Sequence, residues 1–104
     1  MAFEAITVPR RGIGTIVNTT ITAGGTAQQI LASQPGRTFL QIKNNAAQVL
    51  WINFGAVAAI DSGYQVAALG AGDTWTSPPN YCPTGLVSVV GATTGNKFSY
   101  LVNK

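Results

Sequence analysis

A chain of 104 residues with only three acids, Glu4, Asp61 and Asp73, and no histidine has little with which to do acid–base chemistry. Hydrolysis by paired carboxylates needs two acids facing one bond. Here Glu4 lies near the N-terminus, Asp61 opens an Asp-Ser-Gly turn, and Asp73 follows Gly72 at the start of a strand. Aspartates in such turns cap backbone groups. Nucleophilic catalysis would need Lys43 or Lys97 to act as the base through a strong pKa shift. Cys82 stands alone between Tyr81 and Pro83 and reads as a small buried hydrophobe. A single cysteine excludes an intramolecular disulfide, and without histidine it excludes the common zinc sites. Gly12-Ile13-Gly14 lacks the third glycine and the helix of a dinucleotide fingerprint. No catalytic residue, cofactor or metal follows, and the chain reads as a non-enzyme.

The aromatic residues are better placed to do something. Phe39 and Lys43 share a strand face, and with Trp51 on the neighbouring strand they would resemble the stacking platform of a single-strand nucleic-acid binder. Six scattered Lys and Arg residues give that reading a weak electrostatic footprint, so nucleic acid is not the expected partner. Trp51, Trp75 and Tyr81 could stack on sugar rings, with Asn and Gln for the hydroxyls, as in a carbohydrate-binding module. Against this, tryptophan more often packs in its own core or at an interface. The third possibility is a protein contact. If Leu50, Ile52 and Phe54 face the core, Val49 and Trp51 face outward, and large outward apolar groups mark contact surfaces unless a further layer covers them.

Composition supports an interaction protein. Area scaling leaves about 65% of the open chain's surface buried, enough for one core and too little for two domains. The chain is 46% hydrophobic but only 9% charged, against a usual ~25%. Its solvation therefore rests on Thr, Asn, Gln and Ser, or part of its surface is covered by a partner. The net charge of +3 reflects the shortage of acids, and the densest basic spot is Pro9-Arg10-Arg11-Gly12. No apolar stretch approaches the ~20 residues that span a bilayer, and no basic segment precedes an apolar one at the start, so a cytoplasmically made protein without membrane attachment is expected.

The elements that must position these residues are strands. Period-two segments recur every 8–12 residues between Gly, Pro and Asn clusters, the pattern of an all-β domain. They fall at residues 13–22, 26–31, 38–43, 48–54, 64–69, 73–77, 86–91 and 97–102. Within 38–43, Leu40 and Ile42 share one face, while Phe39, Gln41 and Lys43 share the other. The best helical candidate, 26–33, is cut short by glycines and Pro35. These features predict a single-domain antiparallel β-sandwich or jelly roll of about eight strands over residues 13–104, preceded by an extended N-terminal arm, residues 1–12. In that arm Phe3 and Ile6 are candidate anchors and Arg10 and Arg11 candidate ion-pairing groups on a neighbouring subunit.

The segment Arg37 to Gly55, RTFLQIKNNAAQVLWINFG, resembles a pattern in small virion proteins of tailed bacteriophages. There an Arg leads an alternating strand ending Ile-x-Asn-Asn, then a short turn and a Leu-Trp-Ile/Val-Asn-Phe-Gly strand. Tyr64 to Thr76 and Cys82 to Gly95 are similar to the later parts of such sequences, so the likeness covers roughly residues 18–95. The motif is architectural and contains no catalytic signature. Leu69-Gly70-Ala71-Gly72 stands where a Pro-Gly turn is common. The resemblance implies a virion structural protein, foremost a capsid decoration (cement) protein, otherwise a neck, tail or fibre accessory. Its partners would be the major capsid protein or other virion proteins, and its own state a homo-oligomer, with a trimer favoured. Phe39, Trp51, Trp75 and Tyr81 are then the interface candidates on the domain itself.

Overall fold

Strict alternation of apolar and polar residues leaves its mark most cleanly on the third strand, where Leu40, Ile42 and Asn44 are buried and Phe39, Gln41 and Lys43 are half-exposed. The structure, a computed structural model, describes residues 14–61, 63–70, 72–78 and 80–103. The expectations placed on residues 1–12 therefore lie outside the described residues.

Among the described residues eight strands follow in order: β1 (Thr15–Thr20), β2 (Gln28–Leu31), β3 (Phe39–Asn44), β4 (Leu50–Phe54), β5 (Tyr64–Val66), β6 (Thr74–Thr76), β7 (Val87–Gly91) and β8 (Lys97–Asn103). Each lies within or overlaps a segment read from the sequence, and several are shorter. Gln48 belongs to the turn after β3, where its carbonyl accepts from Asn44 Nδ2 at 2.7 Å. The turn between β1 and β2 uses its glycine pair as expected. Gly25 takes φ 77°, and a Cβ on Gly24 would sit 2.5 Å from the Ala92 carbonyl oxygen.

Two four-stranded antiparallel sheets result, ordered β1-β8-β3-β6 and β2-β7-β4-β5. Strands β1 and β8, β2 and β7, β3 and β6, and β4 and β5 are all paired, as if one long hairpin had been rolled up. The β3–β8 and β4–β7 pairings then join those hairpin layers side by side. This nesting is the eight-stranded jelly roll, so the finer of the two expected architectures is the one formed. Between the sheets Ile21, Leu40, Ile42, Leu50, Ile52, Val66, Val87, Val89 and Phe98 make the core. At ~25 cal/mol per Å² of apolar surface removed from water, each such side chain contributes on the order of 1.5–3 kcal/mol before chain entropy is subtracted. The Tyr100 hydroxyl donates to the Ile30 carbonyl at 3.4 Å, tying β8 of one sheet to β2 of the other.

Candidate interaction surface

The outer face of the β1-β8-β3-β6 sheet can be read from its register. Ile16 stands opposite Leu101, Leu101 opposite Gln41, and Gln41 opposite Thr76. The next row holds Asn18, Ser99, Lys43 and Thr74. Phe39 lies opposite Asn103, diagonal to Leu101. The surface thus carries three apolar groups, Ile16, Leu101 and Phe39, among uncharged polar ones and Lys43. A depression of about 180 Å³ runs between Ile16, Leu101, Gln41 and Lys43. Ile16 is 68% exposed and was not singled out by the sequence, because nothing in its alternation says that its strand lies at an edge.

The charge on this face is already used. Lys43 Nζ lies 2.6 Å from Asp73 Oδ2, which also accepts from the Gly70 amide at 3.1 Å. The Thr74 hydroxyl donates to Asp73 Oδ1 at 3.0 Å. The Lys43 hydrogen bond first, and then the Gly70 amide, hold the Asp73 carboxyl down to about 2 from its ordinary 3.8. Asp73 thus caps its turn as the sequence suggests. Asp61 serves its turn through its backbone, which adopts φ 63°. A depressed folded pKa stabilises the fold fully above pH ~4, and that contribution disappears as pH falls through about 2. Asp73→Asn should therefore remove this part of the acid sensitivity, seen as a smaller drop in urea midpoint between about pH 5 and pH 2 than in the wild type. An unchanged drop would count against the Lys43–Asp73 pair.

The other outer face is partly covered. Ser88 and Val90 point outward from β7, opposite Asn53 and Trp51, yet both are buried. For Ser88 the reason is the segment after β4: Ala58 is itself buried and its amide donates to Ser88 Oγ at 3.0 Å. The Asn53 side-chain amide reaches the Val57 carbonyl at 3.5 Å, so residues 55–61 fold back over the sheet. Val57 and Ile60 are exposed on this flap. Trp51 is outward and half-buried beside Gln65 and Val90.

This arrangement corrects two expectations. Trp51 is not on a strand neighbouring Phe39: β3 and β4 belong to different sheets, and their outer faces look in opposite directions. No joint platform of Phe39, Lys43 and Trp51 exists. The sugar-stacking trio is dispersed as well. Trp75 pairs with Ile42 and points inward, 4.8 Å from the Phe54 ring and edge-on to Tyr64 at 6.3 Å. Tyr81 is 63% exposed in the connection between β6 and β7. Phe39 and Trp51 lie on the outer faces of different sheets, and Tyr81 is exposed in its connection. Phe3, Ile6, Arg10 and Arg11 lie outside the described residues.

Three residues of the segment from Arg37 to Gly55 turn out to hold the fold. Arg37 is buried and donates from Nη1 to the carbonyls of Pro83 (2.7 Å) and Gly85 (3.1 Å), and from Nη2 to Ala32 (2.8 Å). It clamps the β2–β3 connection to the β6–β7 connection. Burial pushes its pKa down and the nearby Cys82 pushes it back up. Cys82 is half-buried and packs against the core, as its neighbours in sequence suggest. Asn44 is buried and donates from Nδ2 to Gln48 and Ala67 carbonyls, while its Oδ1 accepts from the Ala46 amide at 3.0 Å. Asn45 Nδ2 donates to Ser99 Oγ at 3.2 Å. A polar residue ending an apolar strand is the only sequence signal for these roles.

Among the described residues no group of three His, Cys, Asp or Glu side chains lies close enough to hold a metal ion. No protein-family model, curated protein or solved structure matches this chain.

Proposed function

We propose that this protein is a non-catalytic structural component of a tailed-phage particle, and foremost a capsid decoration protein that binds and stabilises the head shell. The observation that carries the reading is the outer face of the β1-β8-β3-β6 sheet, where Ile16, Leu101 and Phe39 stand among Asn, Gln, Ser and Thr, and Lys43 is neutralised by Asp73. Such a face suits a contact made of apolar and uncharged polar groups. The jelly roll recurs in viral capsid domains, which is an argument by analogy alone, since lectins and cupins share it. The phage-like motif from Arg37 to Gly55 adds to it. On this reading residues 1–12 reach across a neighbouring subunit, with Phe3 and Ile6 as anchors and Arg10 and Arg11 as its ionic contacts.

A shell under internal DNA pressure fails where capsomers separate, and a small domain bridging them raises the free energy of separation. Each bridge need add only a few kcal/mol, because many copies act in parallel. Particles stripped of the protein should release DNA at a lower temperature, and re-adding it should restore the midpoint. The restoration should persist at elevated salt, because charges screened over ~8 Å at physiological ionic strength contribute little to this contact. Equal release curves with and without the protein would overturn the cementing role.

A further inference from the structure

A jelly roll leaves four sheet edges, and three of them here are blunted in the usual ways. β5 and β6 have three residues each, and Pro78 follows β6 closely. β2 has four residues and a register shift between Gln29 and Leu31. The fourth edge, β1, has none of these devices. It runs unbroken for six residues, TIVNTT, paired residue for residue with β8, and carries no charge, proline or bulge. None of its residues is fully buried.

The hydrogen bonds around β1 show which backbone groups face the open side. The Ile21 amide donates to the Asn96 carbonyl and the Ile21 carbonyl accepts from the Gly95 amide, both at 2.8 Å, so residue 21 is turned toward the β8 hairpin. On β8, the Lys97 and Asn103 carbonyls accept from Asn45 and Thr38 amides, which turns the odd-numbered residues toward β3 and Phe98, Tyr100 and Val102 toward β1. By strand alternation Thr15, Val17 and Thr19 bond β8, and Ile16, Asn18 and Thr20 present amides and carbonyls to the edge. Thr20 is already engaged. Its carbonyl accepts from Gln28 Nε2 at 3.2 Å, and Gln28 Oε1 accepts from the Thr22 amide at 2.9 Å. Gln28 thereby closes the far end of the edge and leaves Ile16 and Asn18 as its open part among the described residues.

We propose that this edge pairs with β1 of a second copy of the chain, antiparallel about a two-fold axis at Val17. In that register Ile16 of each copy exchanges both backbone hydrogen bonds with Asn18 of the other. Four bonds form, and Thr20 stays with Gln28. The two four-stranded sheets become one eight-stranded sheet. Self-pairing juxtaposes like residues, so a charged strand would repel itself, and β1 has no charge to do so. The two Val17 side chains meet on the inner face as a β-branched pair, and the two Ile16 side chains extend the apolar outer face across the axis. A closed two-fold pairing differs from the trimer that the phage resemblance favours.

Two variants of the full chain test the pairing in sedimentation velocity. Asn18→Pro removes an edge-facing amide without touching a β8 bond, and the φ of proline suits an edge strand. It should weaken the dimer by roughly 30-fold or more, since two interchain bonds are lost. Val17→Cys in a Cys82→Ser background places one thiol of each copy across the axis at a non-hydrogen-bonded pair. Oxidised glutathione should then link it into a covalent dimer, while the Cys82→Ser parent stays unlinked. A monomeric or trimeric wild type, a dimer unaffected by Asn18→Pro, or a Val17→Cys protein that does not cross-link would each overturn the proposal. A monomer whose edge opens to pairing only after residues 1–13 are deleted would identify the chain's own N-terminal segment as the occupant.

Discussion

Replacing Arg37 by methionine should lower the stability of the fold by about 3 kcal/mol, although methionine occupies much of the same space. The loss comes from the three carbonyls that the guanidinium satisfies, those of Pro83, Gly85 and Ala32, which belong to two connections far apart in sequence. A buried acceptor left without its donor costs about 1–3 kcal/mol, and the cleft of about 170 Å³ beside Arg37 lets water recover part of it. Arg37→Lys should fall between wild type and Arg37→Met. Its single ammonium keeps the charge but cannot span the separation covered by the planar fork. Urea unfolding of the three proteins checks the order. A methionine variant within about 0.5 kcal/mol of wild type would show that the connections hold without the clamp.

The two tryptophans should behave oppositely. Trp75→Ala should cost the fold about 2–4 kcal/mol, somewhat below the full range for buried aromatics because the ring is only half-buried. Its contacts with Phe54 and Tyr64 bridge the β6 edge of one sheet to β4 and β5 of the other, so its loss opens the side of the sandwich. Trp51→Ala should cost about 1 kcal/mol, since Trp51 stands on the outer face of the β2-β7-β4-β5 sheet; in the proposed bridging role, which needs a contact on each side of the domain, it should weaken attachment more than it weakens the fold. Paired measurements of unfolding midpoint and particle binding separate the effects. Equal stability losses would place both rings in the packing of the fold, and unchanged binding by Trp51→Ala would remove Trp51 from the contact.

All eight strands were legible in the sequence because alternation and turn chemistry are local. Leu40 and Ile42 face inward, and Phe39, Gln41 and Lys43 outward, as their period of two requires. The same holds for Leu50 and Ile52 against Trp51. Strand ends were less legible. The β4 start moves from residue 48 to Leu50 because the Gln48 carbonyl is held by Asn44, a side-chain bond that no hydrophobic period records. The jelly-roll alternative was present among the expectations, but its nesting was not derivable, since three of its four strand pairs, β1–β8, β2–β7 and β3–β6, join segments outside any sequence window.

What the residues determine by themselves is therefore which side chains share a face and which stretches turn: the all-β class, the Gly24-Gly25 turn, the capping by Asp73 and the poverty of catalytic groups. Which face is covered, and by what, is decided only when distant segments meet. Phe39 and Trp51 are twelve residues apart and each faces outward, yet they look away from one another because the chain changes sheets between β3 and β4. Ser88 faces outward and is buried, because residues 55–61 return over it. Ile16 has the side chain of a core residue and remains exposed, because among the described strands β1 takes an edge position beside β8. Burial is a property of the pair of surfaces that meet, and a period of two describes only one of them.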